Sequence, residues 1–423
     1  MPDVVACPEP QAKRLAWLDA LRGIAALCVV FDHLTYSVFQ PVRDSVYQWF
    51  NPGQYGVFVF FLVSGYIVPA SLERKGSIRS FWVSRVWRLY PLYLVAVGVM
   101  IVLWACGLGP GMGSDPVTSW FADVFMLQSV LWAPTLPNVV WSLAYEMVFY
   151  LMLTALFLGG VHRRSSRYAL VFGAAAVALG GIFKPATLSH HLLTPGIVVA
   201  ITDSLVLAGL VLALAGRGRT RTAGAALAAT TGLLVVMFNS GYAPAWESFT
   251  IFALMFTGTM LYRAENGQYP WRRALPVASF VFVLVLAAAF WHTSPLARSP
   301  IAIRESVSSL ALAGLTFAVA MAYRNKKVPR ALAWLGLVSY SVYLLHPALI
   351  EVYASVPWTQ GENFVPTELL MVALFLLALF ACCALTHRFV EVPMQRQGRR
   401  LARRLDGRSE RAEVPEQVAT RSS

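Results

Sequence analysis

Four ionisable side chains lie inside an apolar stretch near the start of the chain. Residues 15–38 are long enough to cross a bilayer once, yet they include Asp19, Arg22, Asp32 and His33. A charged group at the centre of a spanning helix costs about 3 kcal/mol, so such residues are candidates for function. Arg22 and His33 share one helical face, with the imidazole about 16 Å further along the axis. One end of that face can hold an anion, and the other can transfer a proton.

Two arginines form a second candidate site in the string SFWVSRVWRLYPLYL. Arg85 and Arg88 are three residues apart, so both project from one face of a helix. Paired planar guanidinium groups suit a phosphate-rich ligand, because each can make bidentate contacts. Arginines here are also typical of the cytoplasmic end of a membrane helix, where they contact lipid headgroups. Both interpretations stay open.

A glutamate enters the membrane in the string WSLAYEMVFY, residues 141–150. From the outer side, Glu146 should lie about 12 Å deep and His33 about 8 Å deep. A carboxylate beside an imidazole can orient the ring and stabilise its charged form. The alternative is a structural hydrogen-bond network between helices. These depths predict that Glu146 and His33 lie close together.

Two further strings carry polar groups in apolar surroundings. In LGLVSYSVYLLHPAL, His346 also falls in the outer half of the membrane, where it could line a binding site or pack as a hydrogen-bonded histidine. In VFVFFLVSGYIV, Ser64 precedes Gly65. Small residues at such a position favour close helix contact, and the gap that they leave could admit a ligand arm.

The composition is that of a membrane protein. Of 423 residues, 57% are hydrophobic and 13% are charged, whereas a soluble protein has about 25% charged residues. The mean hydropathy is +0.60. We predict an all-α polytopic bundle of about 10–12 transmembrane helices. The twelve candidate spans are residues 15–38, 55–72, 84–106, 138–159, 167–184, 195–215, 223–239, 246–263, 274–292, 303–323, 332–354 and 366–389.

Basic residues alternate between successive connections. Lys and Arg number 29 on one set of connections, which includes both termini, and 3 on the other set. This distribution predicts that both termini are cytoplasmic. It also accounts for the net charge of +13 without nucleic acid as a partner. The chain divides into a cytoplasmic tail (1–14), a membrane domain (15–390) and a basic cytoplasmic tail (391–423) that is predicted to be disordered.

The longest outer connection and the cysteines add two expectations. Residues 107–137 are rich in glycine, proline and aromatic residues and could form a lid or a partly re-entrant segment. The cysteines lack metal-ligand spacing and mostly lie in apolar runs, so we predict packing roles for them and no metal site.

Together these strings resemble the acyltransferase-3 family of integral membrane O-acyltransferases. The resemblance covers residues 15–393 and rests on five strings in order, LDALRGIAALCVVFDH, GVFVFFLVSGYIV, RVWRLYPLYL, WSLAYEMVFY and SYSVYLLHP. It implies transfer of an acyl group, commonly acetyl, from cytoplasmic acyl-CoA to a hydroxyl of a sugar, cell-envelope glycan or glycosylated metabolite. Members usually have fewer spans than are counted here. We expect a multi-pass protein of the cytoplasmic (inner) membrane, with lipid around it.

The resemblance assigns roles to the residues of the donor side. The family's arginine-x10-histidine pattern falls on Arg22 and His33, and its R-x-x-R pattern falls on Arg85 and Arg88. We predict that these three arginines and Ser64 bind acyl-CoA, which is a donor substrate and not a permanently bound cofactor.

The remaining roles concern proton transfer and the acceptor. His33 is predicted to act as general base on the acceptor hydroxyl, with Glu146 or Asp32 stabilising the imidazolium. Direct transfer and an acyl-histidine intermediate both stay open. Tyr150, Tyr343 and His346 are predicted to bind the acceptor.

A proton-coupled secondary transporter is the competing class. Many spans, cytoplasmic termini and buried charges also describe such carriers, in which His33, Glu146 and Asp203 would relay protons. Against this class, the two halves of the chain show no matching charged motifs, and a carrier has no clear use for Arg85 and Arg88. Release of free thiol from acetyl-CoA distinguishes an acyltransferase from a carrier.

A topology reporter tests the predicted orientation. Fused after Leu108 or within residues 355–365, the reporter should lie outside the cytoplasm, and fused after Ser166 it should lie inside, because basic residues gather on the cytoplasmic side. The measurement is the activity of a reporter enzyme that works on only one side of the membrane. Reversed signals would place Arg85 and Arg88 outside the cytoplasm and contradict the predicted cytoplasmic ligand.

Overall fold

The computed structural model describes residues 15–37, 39–108, 116–133, 138–241, 243–297, 300–355 and 365–418. Helices account for 85% of it, and the described ranges contain no strand, which confirms the prediction of an all-α fold. The helices are α1 (Ala16–Ser37), α2 (Gln40–Tyr47), α3 (Pro52–Lys75), α4 (Ile78–Ala105), α5 (Pro116–Val124), α6 (Trp141–Leu158), α7 (Ser165–Leu179), α8 (Pro195–Ala215), α9 (Arg219–Asn239), α10 (Ala245–Glu265), α11 (Trp271–Ala297), α12 (Pro300–Ala322), α13 (Arg330–Ala354), α14 (Val365–Thr386) and α15 (Val392–Val418).

Nine segments in the described ranges are long and apolar enough to cross a membrane. They belong to α3, α4, α6, α8, α9, α11, α12 and α13 and to the continuous helical stretch Leu369–Asp406. All twelve predicted spans fall on helices. Of the other three, α7 is short, α1 contains the intramembrane charges, and α10 is buried along most of its length. The chain is an integral, multi-pass membrane protein.

Polar contacts join the arginine-rich connections at one end of the bundle. Arg263 at the end of α10 pairs with Glu73 of α3. Arg324, after α12, pairs with Glu265 at 2.6 Å, and Arg79 of α4 donates to the Leu214 carbonyl of α8. We call this the basic end of the bundle. The sequence predicts that it faces the cytoplasm.

Helix α1 is held between α3 and α13 by backbone contacts at glycines. A Cβ atom at Gly336 of α13 would lie 2.0 Å from the Asp19 carbonyl oxygen of α1. On the other side, a Cβ atom at Gly56 of α3 would lie 2.5 Å from the Ala25 carbonyl oxygen. Only glycine lets helix backbones approach this closely. The helix that contains Arg22 and His33 is therefore fixed in depth and rotation by its neighbours.

Helix α5 enters the bundle from the end opposite the basic end. Its Thr118 lies beside Gly196 at the start of α8, where a Cβ atom would be 3.3 Å from the threonine hydroxyl. At its other end, the Tyr90 hydroxyl donates to the Val124 carbonyl. Because Tyr90 lies near the middle of α4, α5 stops about halfway through the bundle. The segment is re-entrant, one of the two forms that the sequence allowed.

The C-terminal segment differs from the disordered tail predicted for residues 391–423. A π-helical turn, His387–Glu391, leads directly into α15. Two small residues on one face of α15, Gly398 and Ala402, are buried, and a Cβ atom at Gly398 would lie 2.5 Å from Trp87 of α4. The first turns of α15 thus pack against α4, and the helix continues to Val418, which agrees with the high helix propensity of arginine. Residues 419–423 of the predicted tail lie outside the described residues.

Replacing Gly65 with alanine should destabilise the protein, because the new Cβ would lie 2.0 Å from the Met255 carbonyl oxygen of α10. Overpacking of this kind costs about 1–3 kcal/mol. Gly98→Ala in α4 is the matched control, since nothing lies within 4 Å of a Cβ built there and alanine is the better helix former. Thermal unfolding should give a lower Tm for Gly65→Ala and an unchanged or higher Tm for Gly98→Ala. Equal Tm values would contradict the close contact of α3 with α10.

Candidate active site

The four residues predicted to bind the donor line one cavity in the half of the bundle nearer the basic end. Arg22 of α1, Ser64 of α3 and Arg85 and Arg88 of α4 surround a narrow space of about 20 Å³. Glu146 of α6 and Tyr340 of α13 complete its polar lining. We call this the arginine cavity. Three guanidinium groups face one carboxylate across it, so the cavity attracts anions.

Aromatic rings hold Arg85 inside the arginine cavity. Arg85 is only 5% exposed, and its guanidinium lies 5.3 Å from the ring centres of both Phe81 and Tyr150. A cation over ring faces is stabilised by the ring quadrupole. The Tyr150 hydroxyl donates a hydrogen bond to Glu146. Tyr150, which the sequence assigned to the acceptor, therefore lies beside the arginines instead.

A second cavity continues from the arginine cavity towards the opposite end of the bundle. It measures about 30 Å³ and shares Arg22, Phe60 and Tyr340 with the arginine cavity. Its far wall includes Ser142 of α6 and Tyr343 of α13. The Tyr343 hydroxyl donates to the Val139 carbonyl, so at 2.8 Å it accepts a hydrogen bond from Ser142. Arg22 lies where the two cavities meet.

Two histidines contact each other one helical turn beyond Tyr343. Nδ1 of His33 lies 2.8 Å from Nε2 of His346, and the two rings meet edge to edge, with centres 5.1 Å apart and planes inclined by 24°. His346 is fully buried, and its Nδ1 lies 3.0 Å from the Val342 carbonyl oxygen. The sequence left open whether His346 lines a binding site or packs. It packs against the other candidate histidine.

The contacts of His346 assign the tautomers of both rings. A carbonyl oxygen only accepts hydrogen bonds, so neutral His346 carries its proton on Nδ1 and accepts at Nε2. His33 then donates from Nδ1, and the lone pair of its neutral ring is on Nε2. His33 is 35% exposed. The basic nitrogen of the pair is therefore Nε2 of His33, on the partly exposed ring.

The carboxylate of Asp32 lies near that nitrogen but is bound by other groups. Its Oδ2 is 3.9 Å from His33 Nε2, beyond hydrogen-bond distance. Oδ1 accepts from Arg43 at 3.1 Å and from the Tyr47 hydroxyl of α2. A Cβ at Gly53 would lie 2.5 Å from Oδ2, so the chain packs tightly around this group. Asp32 is positioned to act on His33 through its charge.

Glu146 lies deeper than the sequence predicts. On α13, Tyr343 lies one turn closer to the basic end than His346. The Tyr343 hydroxyl is hydrogen-bonded to Ser142 of α6. On α6, Glu146 lies one further turn closer to the basic end than Ser142. These two turns place Glu146 about 10 Å closer to the basic end than His346. The predicted meeting of Glu146 with His33 is thus corrected. It assumed that α6 begins level with the end of α1, but α6 begins inside the bundle, after the buried residues Val139 and Val140.

Three residues of the site received no role from the sequence. Tyr340 lines both cavities and donates to the Leu89 carbonyl at 2.9 Å, but its string offers several hydroxyl groups and no means of choosing between them. Arg43 and Tyr47 hold Asp32. For Arg43 a signal existed, because it is one of only three basic residues on the arginine-poor connections.

Comparison with known proteins identifies the class. The profile of the family described as "Acyltransferase domain" matches residues 15–387. The chain therefore belongs to the acyltransferase-3 family, as the five strings predict. No solved structure matches it.

Several curated proteins are similar to parts of the chain. Acyltransferase MdmB of Streptomyces mycarofaciens is 34% identical over 34% of the chain and 39% of its own length. Peptidoglycan O-acetyltransferase OatA of Listeria monocytogenes is 24% identical over 90% of the chain and 56% of its own length. The putative peptidoglycan O-acetyltransferase YrhL of Bacillus subtilis is 27% identical over 40% of the chain and 28% of its own length. The alignments thus span at most about half the length of these relatives.

Proposed function

We propose that the protein is an acyl-CoA-dependent O-acyltransferase of the cytoplasmic membrane. It transfers an acyl group, acetyl in the simplest case, to a hydroxyl of a sugar or glycosylated acceptor on the side opposite the basic end. The observation that carries this proposal is the pair of adjoining cavities. They lead from three arginines to the turn of α13 that precedes the histidine pair.

The arginine cavity suits the acyl donor by its charge. Coenzyme A is a polyanion, and Arg85 and Arg88 can make bidentate contacts with its phosphates. The open space within the cavity, about 20 Å³, admits only a group about as wide as a water molecule. The slender pantetheine arm therefore enters as the lining side chains move aside, while the nucleotide stays at the basic end. Glu146 and Tyr150 keep the guanidinium groups oriented for this ligand.

The second cavity receives the thioester end of the donor. Arg22 and Tyr340, shared by both cavities, contact the arm as it passes. Ser142 and Tyr343 line the region in which the thioester approaches the histidines. Binding energy along the arm thus positions the reacting carbonyl, which lowers the entropic cost of the reaction.

The transfer step requires one base. The acceptor hydroxyl oxygen attacks the thioester carbonyl carbon while Nε2 of His33 takes the hydroxyl proton. The tetrahedral intermediate collapses with cleavage of the C–S bond, and the imidazolium returns the proton to the departing sulfur. The products are an ester and the free thiol of coenzyme A. Asp32, 3.9 Å from Nε2, stabilises the imidazolium through its charge.

His346 acts through His33 in this mechanism. Its Nε2 holds the Nδ1 proton of His33 and so keeps the lone pair on the nitrogen that meets the acceptor. We therefore assign it as a positioning residue, in place of the acceptor-binding role predicted from the sequence. Glycans are a reasonable acceptor class because two similar proteins are named peptidoglycan O-acetyltransferases, one of them putative.

Arg88→Ala should weaken acyl-CoA binding about tenfold, the effect of losing one charge-assisted hydrogen bond. Arg88→Lys should restore only part of the affinity, since lysine lacks the bidentate fork. Dephospho-CoA should discriminate less between variant and parent than CoA does. Exposed Arg217, also at the basic end, gives the matched control Arg217→Ala. If a folded Arg85→Ala/Arg88→Ala protein binds acyl-CoA as tightly as the parent, the two arginines do not bind the donor and serve only to orient α4 in the membrane.

His33→Ala and His33→Gln should each lower acyl transfer about 10²–10⁴-fold, the usual contribution of a general base. Acyl-CoA binding should be retained, because the arginine cavity is unchanged. Transfer is followed as free thiol released from acetyl-CoA with and without acceptor. Exposed His191 provides the control His191→Ala.

The same assay separates the two histidines. His346→Gln can still accept from His33 Nδ1, so it should keep more activity than His346→Leu, and its pH–rate profile should stay closer to that of the parent. Full activity in His33→Ala with none in His346→Gln would mean that His346 is the base. Absence of any acceptor-dependent thiol release from the parent would favour the transporter class.

A further inference from the structure

A third cavity lies between the re-entrant helix α5 and the spanning helix α8. It measures about 390 Å³, and its walls are mostly apolar, with aromatic rings of α5 and the following turn facing aliphatic side chains of α8. These apolar residues are Phe121, Val124, Phe125, Val199, Ala200 and Leu207. The polar groups in the lining are Thr118, Asp203 and Ser204. This α5–α8 cavity shares none of these residues with the two cavities of the proposed acyl-transfer site.

Asp203 is the unusual member of this lining. It lies eight residues after Pro195, about 12 Å along α8 from its start. Both carboxylate oxygens are buried, and within the described part of the chain neither has a hydrogen-bond partner. A carboxylate at this depth is costly unless something pairs with it. The described residues supply no such partner, so Asp203 either takes up a proton or pairs with a cationic ligand.

The surrounding groups define the chemistry of that ligand. A carboxylate pairs best with a protonated amine, and it repels phosphate, which disfavours anionic phospholipids. The apolar walls require a hydrocarbon or other apolar body, and a volume of about 390 Å³ falls within the range for small-molecule sites. We propose that the α5–α8 cavity binds an amphiphile that places a protonated amine on Asp203.

The ligand reaches this cavity from the bilayer. Phe121, Val124 and Leu207 line the cavity and are 60%, 50% and 54% exposed in the isolated chain. In the membrane these faces meet lipid, so an amphiphile can enter sideways without crossing the aqueous phase. Thr118 and Ser204 add hydroxyl groups to the lining that such a ligand meets.

Binding of a simple lipophilic amine tests the proposal. The probe is radiolabelled n-dodecylamine, compared with n-dodecanol and dodecanoate on the full-length protein in neutral-lipid nanodiscs. The parent should bind the amine about tenfold more tightly than the alcohol, and the carboxylate least. Asp203→Asn should remove the preference for the amine and leave alcohol binding unchanged. Asp44→Asn, at an exposed acid outside the cavity, is the matched control.

A second variant tests the cavity without changing charge. Ala200→Phe places a ring in the space and should displace all three probes. Asp203→Asn should fold at least as well as the parent because it removes an unpaired buried carboxylate. Equal binding of amine and alcohol to the parent, or amine binding that survives Asp203→Asn, would overturn the role of the carboxylate. Probe binding that Ala200→Phe leaves unchanged would overturn the site itself.

Discussion

Charge inside hydrocarbon is the constraint on which this structure depends. Each intramembrane ion must be neutralised, stacked on a ring or turned towards a cavity, because exposure to lipid is too costly. Arg85 combines burial with two aromatic rings, and Tyr150 donates to the one carboxylate of the arginine cavity. Three guanidinium groups against one carboxylate leave the cavity short of negative charge. An anionic ligand restores the balance, and the proposed acyl-CoA donor is such a ligand.

Helix packing at glycines fixes where the charged groups of α1 lie along the bundle. Gly56 and Gly336 allow α3 and α13 to touch the backbone of α1, so Arg22 and His33 have fixed positions along one helix face. The two cavities follow that face between the arginines and Tyr343. A rigid helix thus sets the separation between the arginines and His33. In the proposed function, the length of the acyl donor's arm has to match this separation.

The sequence predicted most of the fold and half of the site, for identifiable reasons. Apolar runs located all twelve predicted spans, since membrane helices must be long and apolar. Helical spacing grouped Arg22 with His33 and Arg85 with Arg88, because those pairs are local. The depth of Glu146 was wrong since it depends on where α6 begins relative to α1, which is a tertiary property. The pairing of His33 with His346 could not be predicted either, because no local sequence pattern links residues on α1 and α13.

The contact between His33 and His346 also has a consequence for biosynthesis. The two residues are 313 positions apart in sequence, one in the first spanning helix and the other in α13. During translation, α1 is inserted into the membrane long before α13. His33 therefore lacks its partner His346 during most of translation. The tautomer of His33 is therefore set only when the membrane domain is almost complete. Until then His33 has no neighbouring imidazole to fix the position of its proton, so a chain that ends before α13 cannot form the pair.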